Sequence, residues 1–317
     1  MVANSLFSDV EIVIADNAST DDSLVFLNLK YPALKTIILD KNYGFAEGYN
    51  RALAQLDSEY FVLLNSDVEV SEGWIQPLIS MMDADKQIAA CQPKLRWYDD
   101  KQYFEYAGAA GGFIDKFGYP FCRGRIFSTV EKDNGQYDTV EDIFWATGAC
   151  LFVRAELYKQ SGGLDGDFFA HMEEIDLCWR LKGMGYRIVY NPQSIVYHVG
   201  GGTLPKSNSF KTYLNFRNNI TLLFKNSFEG NIGSILFQRM ILDGVAALRF
   251  LVVREFGNFW SVFKAHLYLY SNYRKILAKR RHNKAIFKQI SHKEMYKQSI
   301  VFSYFLKNKH HFDTLRF

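Results

Sequence analysis

The sequence has few cysteines and lacks long apolar runs. Its four cysteines are widely separated and form no Cys-x-x-Cys pair, which argues against a zinc ribbon or a disulfide framework and favours a reducing compartment. No uninterrupted apolar stretch reaches the ~18 residues that a membrane-spanning helix needs. The best candidate, residues 232–253, is interrupted by Arg239, Asp243 and Arg249. The first nine residues show neither the basic nor the apolar part of a signal peptide.

Charge is unevenly distributed, although the formal net charge is only +3. Residues 206–317 contain 20 of the 37 basic side chains but only 5 of the 34 acidic ones. The remainder of the chain is therefore acidic. An acidic body followed by a basic segment indicates two different tasks.

Short apolar runs alternate with helical segments over the first 200 residues. We predict strands over residues 11–15, 35–39, 60–64, 89–95, 187–190 and 194–198, and helices over 23–30, 46–56, 74–83 and 173–184. This alternation predicts the α/β class, with a mostly parallel sheet flanked by helices. Residues 96–141 show little periodicity and are predicted to form a long functional excursion. The chain beyond residue 202 is predicted to be helical.

The strand predicted over residues 60–64 ends abruptly at Asn65-Ser66-Asp67. Ligands of open α/β sheets bind beyond the carboxyl ends of strands, and a carboxylate there can hold a divalent cation. His198 ends a later predicted strand and could be a second ligand. The alternatives are that Asp67 is a turn or helix-capping residue and that His198 is structural.

Two polar loops follow the first two predicted strands. Residues 16–22 could accept hydrogen bonds from a nucleoside, or could form an Asx turn and a helix cap. Residues 42–50 form a glycine-containing passage from strand to helix, whose backbone could approach a phosphate. This passage is neither Gly-x-Gly-x-x-Gly nor a P-loop, which disfavours a dinucleotide oxidoreductase and a P-loop enzyme.

Three carboxylates crowd the start of the helix predicted over residues 173–184. They are Glu173, Glu174 and Asp176. The positive end of a helix tolerates such crowding, and crowding can raise one pKa toward that of a general base. The alternative is an acidic first turn with an ion pair between Asp176 and Arg180.

In their order along the chain, these segments resemble the family 2 glycosyltransferases, especially the bacterial rhamnosyltransferase-like branch. The resembling segments are residues 14–21, 42–50, 63–67, 147–149, 173–180 and 185–198. The resemblance implies a GT-A fold and the transfer of a sugar, with inversion, from a nucleotide-diphosphate donor. It also implies a saccharide or lipid-linked acceptor in the synthesis of cell-surface polysaccharides. A nucleotide-sugar-binding relative with impaired catalysis is the alternative.

The resemblance also assigns roles to residues. Glu174 is the expected catalytic base, although the family usually has the shorter Asp there, and Asp176 is the second choice. Asp67 and His198 are the expected ligands of Mg²⁺ or Mn²⁺; Asn65 stands in place of the first acid of an Asp-x-Asp pair. The residues expected at the donor are Asp16, Asn17, Asp21, Asn42, Gly44, Asn50 and Asn65. Those expected on the acceptor side are Thr147, Gly148 and Glu173.

The chain departs from the family at its beginning. Members normally have a strand and a helix before the residue 16–22 loop, and here residues 3–7 resemble only the end of that helix. We therefore expect an N-terminally short catalytic domain over residues 1–204, with weakened donor binding. Residues 205–317 are expected to form a helical, basic extension.

The most basic part of that extension is residues 274–284. Basic amphipathic helices suit an anionic membrane surface, so we expect a cytoplasmic protein held peripherally on the inner face of the cell membrane. The alternatives are a solvated basic face and nucleic-acid binding. The latter is disfavoured because no RNA- or DNA-binding module is visible.

Overall fold

The computed structural model describes residues 9–200 and 208–317. The strands are β1 (Val13–Asp16), β2 (Lys35–Ile38), β3 (Tyr60–Leu64), β4 (Val68–Val70), β5 (Ile88–Trp97), β6 (Gly112–Asp115), β7 (Pro120–Cys122), β8 (Arg125–Ile126), β9 (Thr129–Val130), β10 (Glu141–Ile143), β11 (Cys150–Arg154), β12 (Arg187–His198) and β13 (Met295–Tyr296). The helices are α1 (Ser23–Lys30), α2 (Gly44–Leu53), α3 (Gln76–Ala84), α4 (Ala155–Gln160), α5 (Glu173–Gly183), α6 (Ser209–Asn226), α7 (Ile232–Val252), α8 (Phe256–Ser271), α9 (Tyr273–Ile286) and α10 (Ile300–Phe305). None of these helices is long and apolar enough to cross a membrane.

The central sheet is mixed, which corrects the expectation of a mostly parallel one. Its order is β10-β12-β5-β11-β3, and β4 also pairs with β12. Within it only β5 and β12 run parallel; the other pairs are antiparallel. Alternating strands and helices predict parallel pairs only when each strand follows its neighbour through a helix. Here β11 returns from the long excursion and enters between β5 and β3 in the opposite direction.

The two strands predicted over 187–190 and 194–198 form one strand, β12. A shift in its pairing with β5 between Asn191 and Ile195 explains why the pattern looked interrupted. Such a bulge breaks the alternation of side chains without ending the strand.

The N-terminal strands form a separate parallel pair. Within the described residues, β1 and β2 hydrogen-bond only with each other, and β3 has β11 as its one strand partner. Helix α1 contributes no buried residue. Residues 3–7, which were expected to end a helix, lie outside the described residues. The expected shortness of the N-terminal region therefore stays a prediction.

The excursion at residues 96–141 contains a second sheet, ordered β13-β6-β7-β8-β9. Strand β13 comes from the C-terminal part of the chain and pairs with β6. The buried side chains of Tyr296, Ile300 and Leu315 belong to the main apolar core. The proposed boundary at 204/205 lies outside the described residues, and side chains from both sides of it share this core.

Candidate active site

The structure brings together the two predicted metal ligands. Strand β12 runs antiparallel to β4, and His198 stands opposite Val68. This register places Nε2 of His198 3.2 Å from Oδ1 of Asp67. His198 is buried, whereas the Asp67 side chain is about one-third exposed. One carboxylate and one imidazole therefore meet at the predicted sheet edge.

Glu105 supports His198 from the other side and was missed by the sequence analysis. Its Oε1 lies 3.2 Å from Nδ1 of His198, and its side chain is buried. Burial lowers the pKa of His198, but Glu105 and then Asp67 raise it, and the net pKa lies above its usual value. Glu105 lies in the aperiodic excursion, so no local pattern distinguished it. A carboxylate on the second ring nitrogen is a common orienting partner of a metal-binding His.

Asp67 and His198 fit Mg²⁺ or Mn²⁺ as part of a ligand set. Carboxylate oxygen and imidazole nitrogen are ordinary ligands of Mn²⁺, whereas Mg²⁺ prefers oxygen and water. Within residues 9–200 and 208–317, no three His, Cys, Asp or Glu side chains form a group that could hold a metal. Phosphate oxygens and water could supply further ligands.

The two polar loops expected at the donor are joined by the Asn17 amide. Its Nδ2 donates to the Gly44 carbonyl at 2.9 Å and to Asn42 Oδ1 at 3.2 Å. Its Oδ1 accepts from the Tyr43 backbone N–H at 2.9 Å. The buried Asp16 carboxylate accepts from the Ser19 backbone N–H. Asn17 therefore joins the two loops, and Asp16 precedes it in the first loop; we term Asp16, Asn17 and Asn42 the rim.

At the first loop, Asp21 makes a local turn contact of the kind that the sequence offered as the alternative to nucleoside binding. Its Oδ1 accepts from the Ser23 backbone N–H at the start of α1. The Ser23 hydroxyl and then this backbone N–H lower the pKa of the Asp21 carboxyl group. Asp21 is fully exposed. Its observed contact is therefore with its own helix.

The expected approach of a phosphate to the start of α2 stays a prediction, and two backbone N–H groups there already have a protein partner. The backbone N–H groups of Phe45 and Ala46 donate to the Phe169 carbonyl, at 2.6 and 3.2 Å. Gly44 has φ +75°, and a Cβ there would lie 2.4 Å from the Phe169 ring. The glycine is needed because another loop approaches closely, and that loop already uses the free N–H groups of the helix.

Asn50 makes structural hydrogen bonds, and its assignment to the donor stays a prediction. Its Oδ1 accepts from the Tyr158 hydroxyl at 2.6 Å and from the Leu164 N–H at 2.9 Å. Its Nδ2 donates to the Leu164 carbonyl at 2.8 Å. An amide side chain with these bonds holds α2 to the turn after α4 and has little capacity left for a ligand.

Residues 147–149 connect the region of Asp67 and His198 to the start of α5. A Cβ added at Gly148 would lie 3.8 Å from Cβ of Glu174. The next residue, Ala149, accepts a backbone hydrogen bond from Asn65, two residues before Asp67. Thr147 itself is buried and donates to the Ala107 carbonyl at 2.6 Å, so its hydroxyl is structural.

Glu174 has the environment of a general base. Its Oε2 is buried and has no hydrogen-bond partner among the described residues. Burial raises the pKa of Glu174 to about 7, against the lowering effect of backbone N–H groups at the start of α5. The neighbouring Glu173 is buried, and its pKa is also raised by burial and by Glu174. A pKa near neutrality suits proton transfer at physiological pH.

Asp176 lies in a buried ion-pair network, and its assignment as the second choice for the catalytic base stays a prediction. It is fully buried. Its carboxylate contacts Arg180 at 2.8 Å, Lys225 at 2.7 Å and Asn226 Nδ2 at 2.7 Å. Burial raises the pKa of Asp176, but Lys225 and Arg180 outweigh it and hold the pKa below its usual value. An ionised carboxylate with both oxygens engaged is a poor proton acceptor.

The loop before Glu174 contains three non-glycine residues in the left-handed region. They are Phe169, His171 and Met172, with φ of 63°, 70° and 74°. Such conformations persist only where the surroundings enforce them. His171 is largely buried, and burial followed by the charge of Lys211 lowers its pKa to about 4.

The enforcing contacts come from Asn218 on α6, which the sequence analysis missed. Its Nδ2 lies 2.9, 2.8 and 2.7 Å from the carbonyl oxygens of Phe168, Ala170 and His171. The adjacent Arg217 donates to the Phe168 carbonyl at 2.8 Å. The consecutive asparagines 218 and 219 within a helix, where Asn is a weak helix former, were the available signal.

A solved structure has the same fold. The chain superimposes on the crystal structure of GalNAc-T7 with UDP, GalNAc and Mn²⁺ with a TM-score of 0.53, covering 69% of this chain and 42% of that one. Sequence identity over the match is 15%, so the likeness concerns the fold alone. The protein has the GT-A fold, which confirms the expected fold class.

The family follows from the sequence comparisons. The model of glycosyl transferase family 2 matches residues 2–160, and the chain belongs to this family. It is 28% identical over 204 residues to N-acetylglucosaminyl-diphospho-decaprenol L-rhamnosyltransferase of Mycobacterium tuberculosis, covering 60% of this chain and 66% of that protein. It is 26% identical over 196 residues to rhamnosyltransferase WbbL of Escherichia coli K12, covering 59% and 72%. The resemblance to the rhamnosyltransferase-like branch is confirmed; the match spans just under two thirds of the mycobacterial protein.

Proposed function

We propose that this protein transfers a sugar, with inversion, from a nucleotide-diphosphate donor to a saccharide or lipid-linked acceptor in the synthesis of a surface polysaccharide. The observation that carries the proposal is the surroundings of Glu174. Its buried Oε2 has no hydrogen-bond partner among the described residues, and burial raises its pKa to about 7. Its Cβ lies close to Gly148. The residue 147–149 segment links this carboxylate to the Asp67–His198 pair through the Asn65–Ala149 hydrogen bond. A base and a cation site thus flank one region at the sheet edge. The names of the relatives favour a rhamnosyl donor.

Glu174 takes the proton from the acceptor hydroxyl as that oxygen attacks the anomeric carbon opposite the leaving diphosphate. Because one carboxylate suffices for inversion, no covalent intermediate is needed. Asp67 and His198 would hold Mg²⁺ or Mn²⁺, which neutralises charge on the departing diphosphate. Asp16, Asn17 and Asn42 contact the nucleoside on the rim beside this site.

Metal binding should depend on Asp67 and on the donor nucleotide. Because Asp67 and His198 are the two ligands assigned among the described residues, we expect weak Mn²⁺ binding by the empty protein and at least tenfold tighter binding with a nucleoside diphosphate. Asp67→Asn should remove this enhancement. Calorimetric titration with Mn²⁺, with and without nucleotide, measures both.

The exposed Asp57 provides the matched control, and Asp57→Asn should titrate like the wild type. Tight Mn²⁺ binding without nucleotide, or an unchanged enhancement in Asp67→Asn, would contradict this site.

Asn218→Ala should lower kcat more than it raises KM for the donor. The variant loses the side-chain amide whose Nδ2 contacts three backbone carbonyl oxygens of the loop before Glu174. Misplacement of a catalytic group by about 1 Å costs roughly 100-fold in rate. Steady-state kinetics with a soluble acceptor separates kcat from KM.

Asn226 lies on the same helix and is also buried, but it contacts Asp176 and Asn283 instead of the loop. Asn226→Ala should therefore lower the melting temperature without this selective loss of kcat. Equal kinetic effects in the two variants would show that Asn218 acts through stability alone.

A further inference from the structure

Helices α7 and α8 carry an exposed apolar surface, which we term the hairpin face. Its α7 members recur every three or four residues, as do its α8 members, so each set forms one stripe. Each side chain is 49% to 82% exposed. The members are Phe237, Ile241, Val245, Leu248 and Val252 on α7, and Phe256, Trp260, Phe263, Leu267 and Tyr270 on α8.

The two stripes lie side by side because the helices form an antiparallel hairpin. The chain reverses at residues 253–255. His266 Nε2 on α8 lies 3.1 Å from Asp243 Oδ2 on α7. One helical turn further on, the Tyr270 hydroxyl contacts Met240 Sδ at 3.4 Å. The hairpin face is therefore continuous across both helices.

The polarity of α7 is the reverse of that of an ordinary surface helix. Its only buried residues are Arg239, Asp243 and Ala247. Arg239 and Asp243 form an ion pair at 2.8 Å, and Asp243 also accepts from the Tyr119 hydroxyl. A helix in water normally buries its apolar side and exposes its charges. Here the charges attach the helix to the body, and the apolar side is left facing outward.

The charges that remain at the hairpin are mainly basic. Arg249, Arg254 and Lys264 are exposed, against one acidic residue, Glu255. Glu255 accepts a hydrogen bond from Asn258 at the start of α8. Exposed apolar patches of this kind mark protein or membrane contacts. An apolar face with a positive border matches an anionic lipid surface.

The sequence favoured the basic segment 274–284 for membrane binding. Several of its basic side chains, however, contact other parts of the protein. Lys275 and Lys279 form ion pairs with Asp167 at 2.7 and 2.6 Å. Arg280 donates to the carbonyl groups of Phe224 and Ser227. These contacts hold α9 to the body and partly neutralise its cations.

We propose that the hairpin face of α7 and α8 inserts into the interfacial layer of an anionic membrane. Helix α8 packs on α6, for example through the Ser261 hydroxyl and the Ser209 carbonyl at 2.7 Å. Helix α6 in turn holds the loop before Glu174 through Asn218. The membrane contact and the catalytic helix are therefore joined through α6. This inference deepens the proposed transfer to a lipid-linked acceptor and rests on it for its biological role.

Flotation of the full chain with vesicles tests the proposal. With vesicles of phosphatidylcholine and phosphatidylglycerol at 7:3 and low salt, the wild type should float, and the exposed Trp260 should shift its fluorescence to shorter wavelength. Val245→Glu together with Leu248→Glu should reduce the bound fraction at least tenfold. Val25→Glu, at an equally exposed apolar position on α1, should bind like the wild type.

Circular dichroism and transfer to a water-soluble acceptor serve as readouts independent of lipid. The double variant should match the wild type in both, so a failure of the catalytic proposal is distinguished from a failure of this one. Absence of wild-type flotation would overturn the proposal. So would light scattering that shows a dimer which the double variant abolishes, because a second copy would then cover the hairpin face.

Discussion

Glu174→Gln is expected to abolish sugar transfer while donor binding is retained. The amide keeps the size of the side chain but cannot accept the proton of the acceptor hydroxyl, and general-base catalysis contributes about 10²–10⁴-fold in rate. Donor affinity should stay close to that of the wild type, since donor contacts are assigned to Asp16, Asn17, Asn42 and the metal ligands. Transfer assays and calorimetric titration with the nucleotide measure the two quantities separately.

Glu174→Asp is the matched variant, because it keeps the carboxylate and shortens its reach. It should retain measurable transfer, at a reduced kcat. In the wild type, kcat/KM should rise with pH through about 7, the raised pKa of Glu174, because the base acts in its ionised form. Full turnover in Glu174→Gln, with normal folding, would move the base to another residue.

Stability provides an independent signature of Glu174. Burial raises its pKa in the folded protein from 4.5 to about 7. The stability that the neutral form contributes is fully present below pH 4.5 and is lost as pH rises through about 7. Glutamine stays neutral, so Glu174→Gln should melt at a higher temperature than the wild type at pH 8 but not at pH 4.5. Thermal melts at both pH values check this difference.

Asp176→Asn is expected to cause a large loss of stability. The variant removes the carboxylate partner of the buried Arg180 and one of the two carboxylate partners of Lys225, which keeps Asp165. Breaking a buried pair in this way costs about 3–5 kcal/mol. For a chain of this size the melting temperature should fall by roughly 10 °C. Calorimetry or thermal circular dichroism gives the value directly.

A paired variant tests the electrostatic origin of that loss. Asp176→Leu with Lys225→Met removes a carboxylate and a cation together, so it should recover part of the stability that Asp176→Asn loses. An unchanged melting temperature in Asp176→Asn, accompanied by complete loss of transfer, would return Asp176 to the catalytic role.

Local sequence was sufficient to find the positions that the tertiary structure then brought together. Asp67, His198 and Glu174 each follow or begin a regular element, where the sequence marks a boundary. Their roles in metal binding and catalysis stay predictions. Residues 16–17 and 42 were likewise found from the ends of predicted strands, and the side chains of Asn17 and Asn42 are hydrogen-bonded to each other.

The same patterns could not separate residues that are adjacent in sequence but differ in surroundings. Glu174 and Asp176 lie two positions apart. Oε2 of Glu174 has no partner among the described residues, whereas the Asp176 carboxylate is paired with cations from α5 and α6. Asn50 and Gly44 looked like ligand residues because Asn and Gly are typical of binding loops. Their partners, Leu164 and Phe169, are more than a hundred residues away in sequence.

The sequence by itself determined the family, the α/β class, most element positions and the acidic and polar residues at strand and helix ends. These properties depend on periodicity and on residue types within a few positions of one another. Tertiary structure alone decided strand direction, which of the clustered carboxylates are paired with cations, and the outward apolar face of α7 and α8. Each of these depends on which distant side chains supply a charge, a hydrogen bond or a covering surface, and a linear pattern does not contain that information.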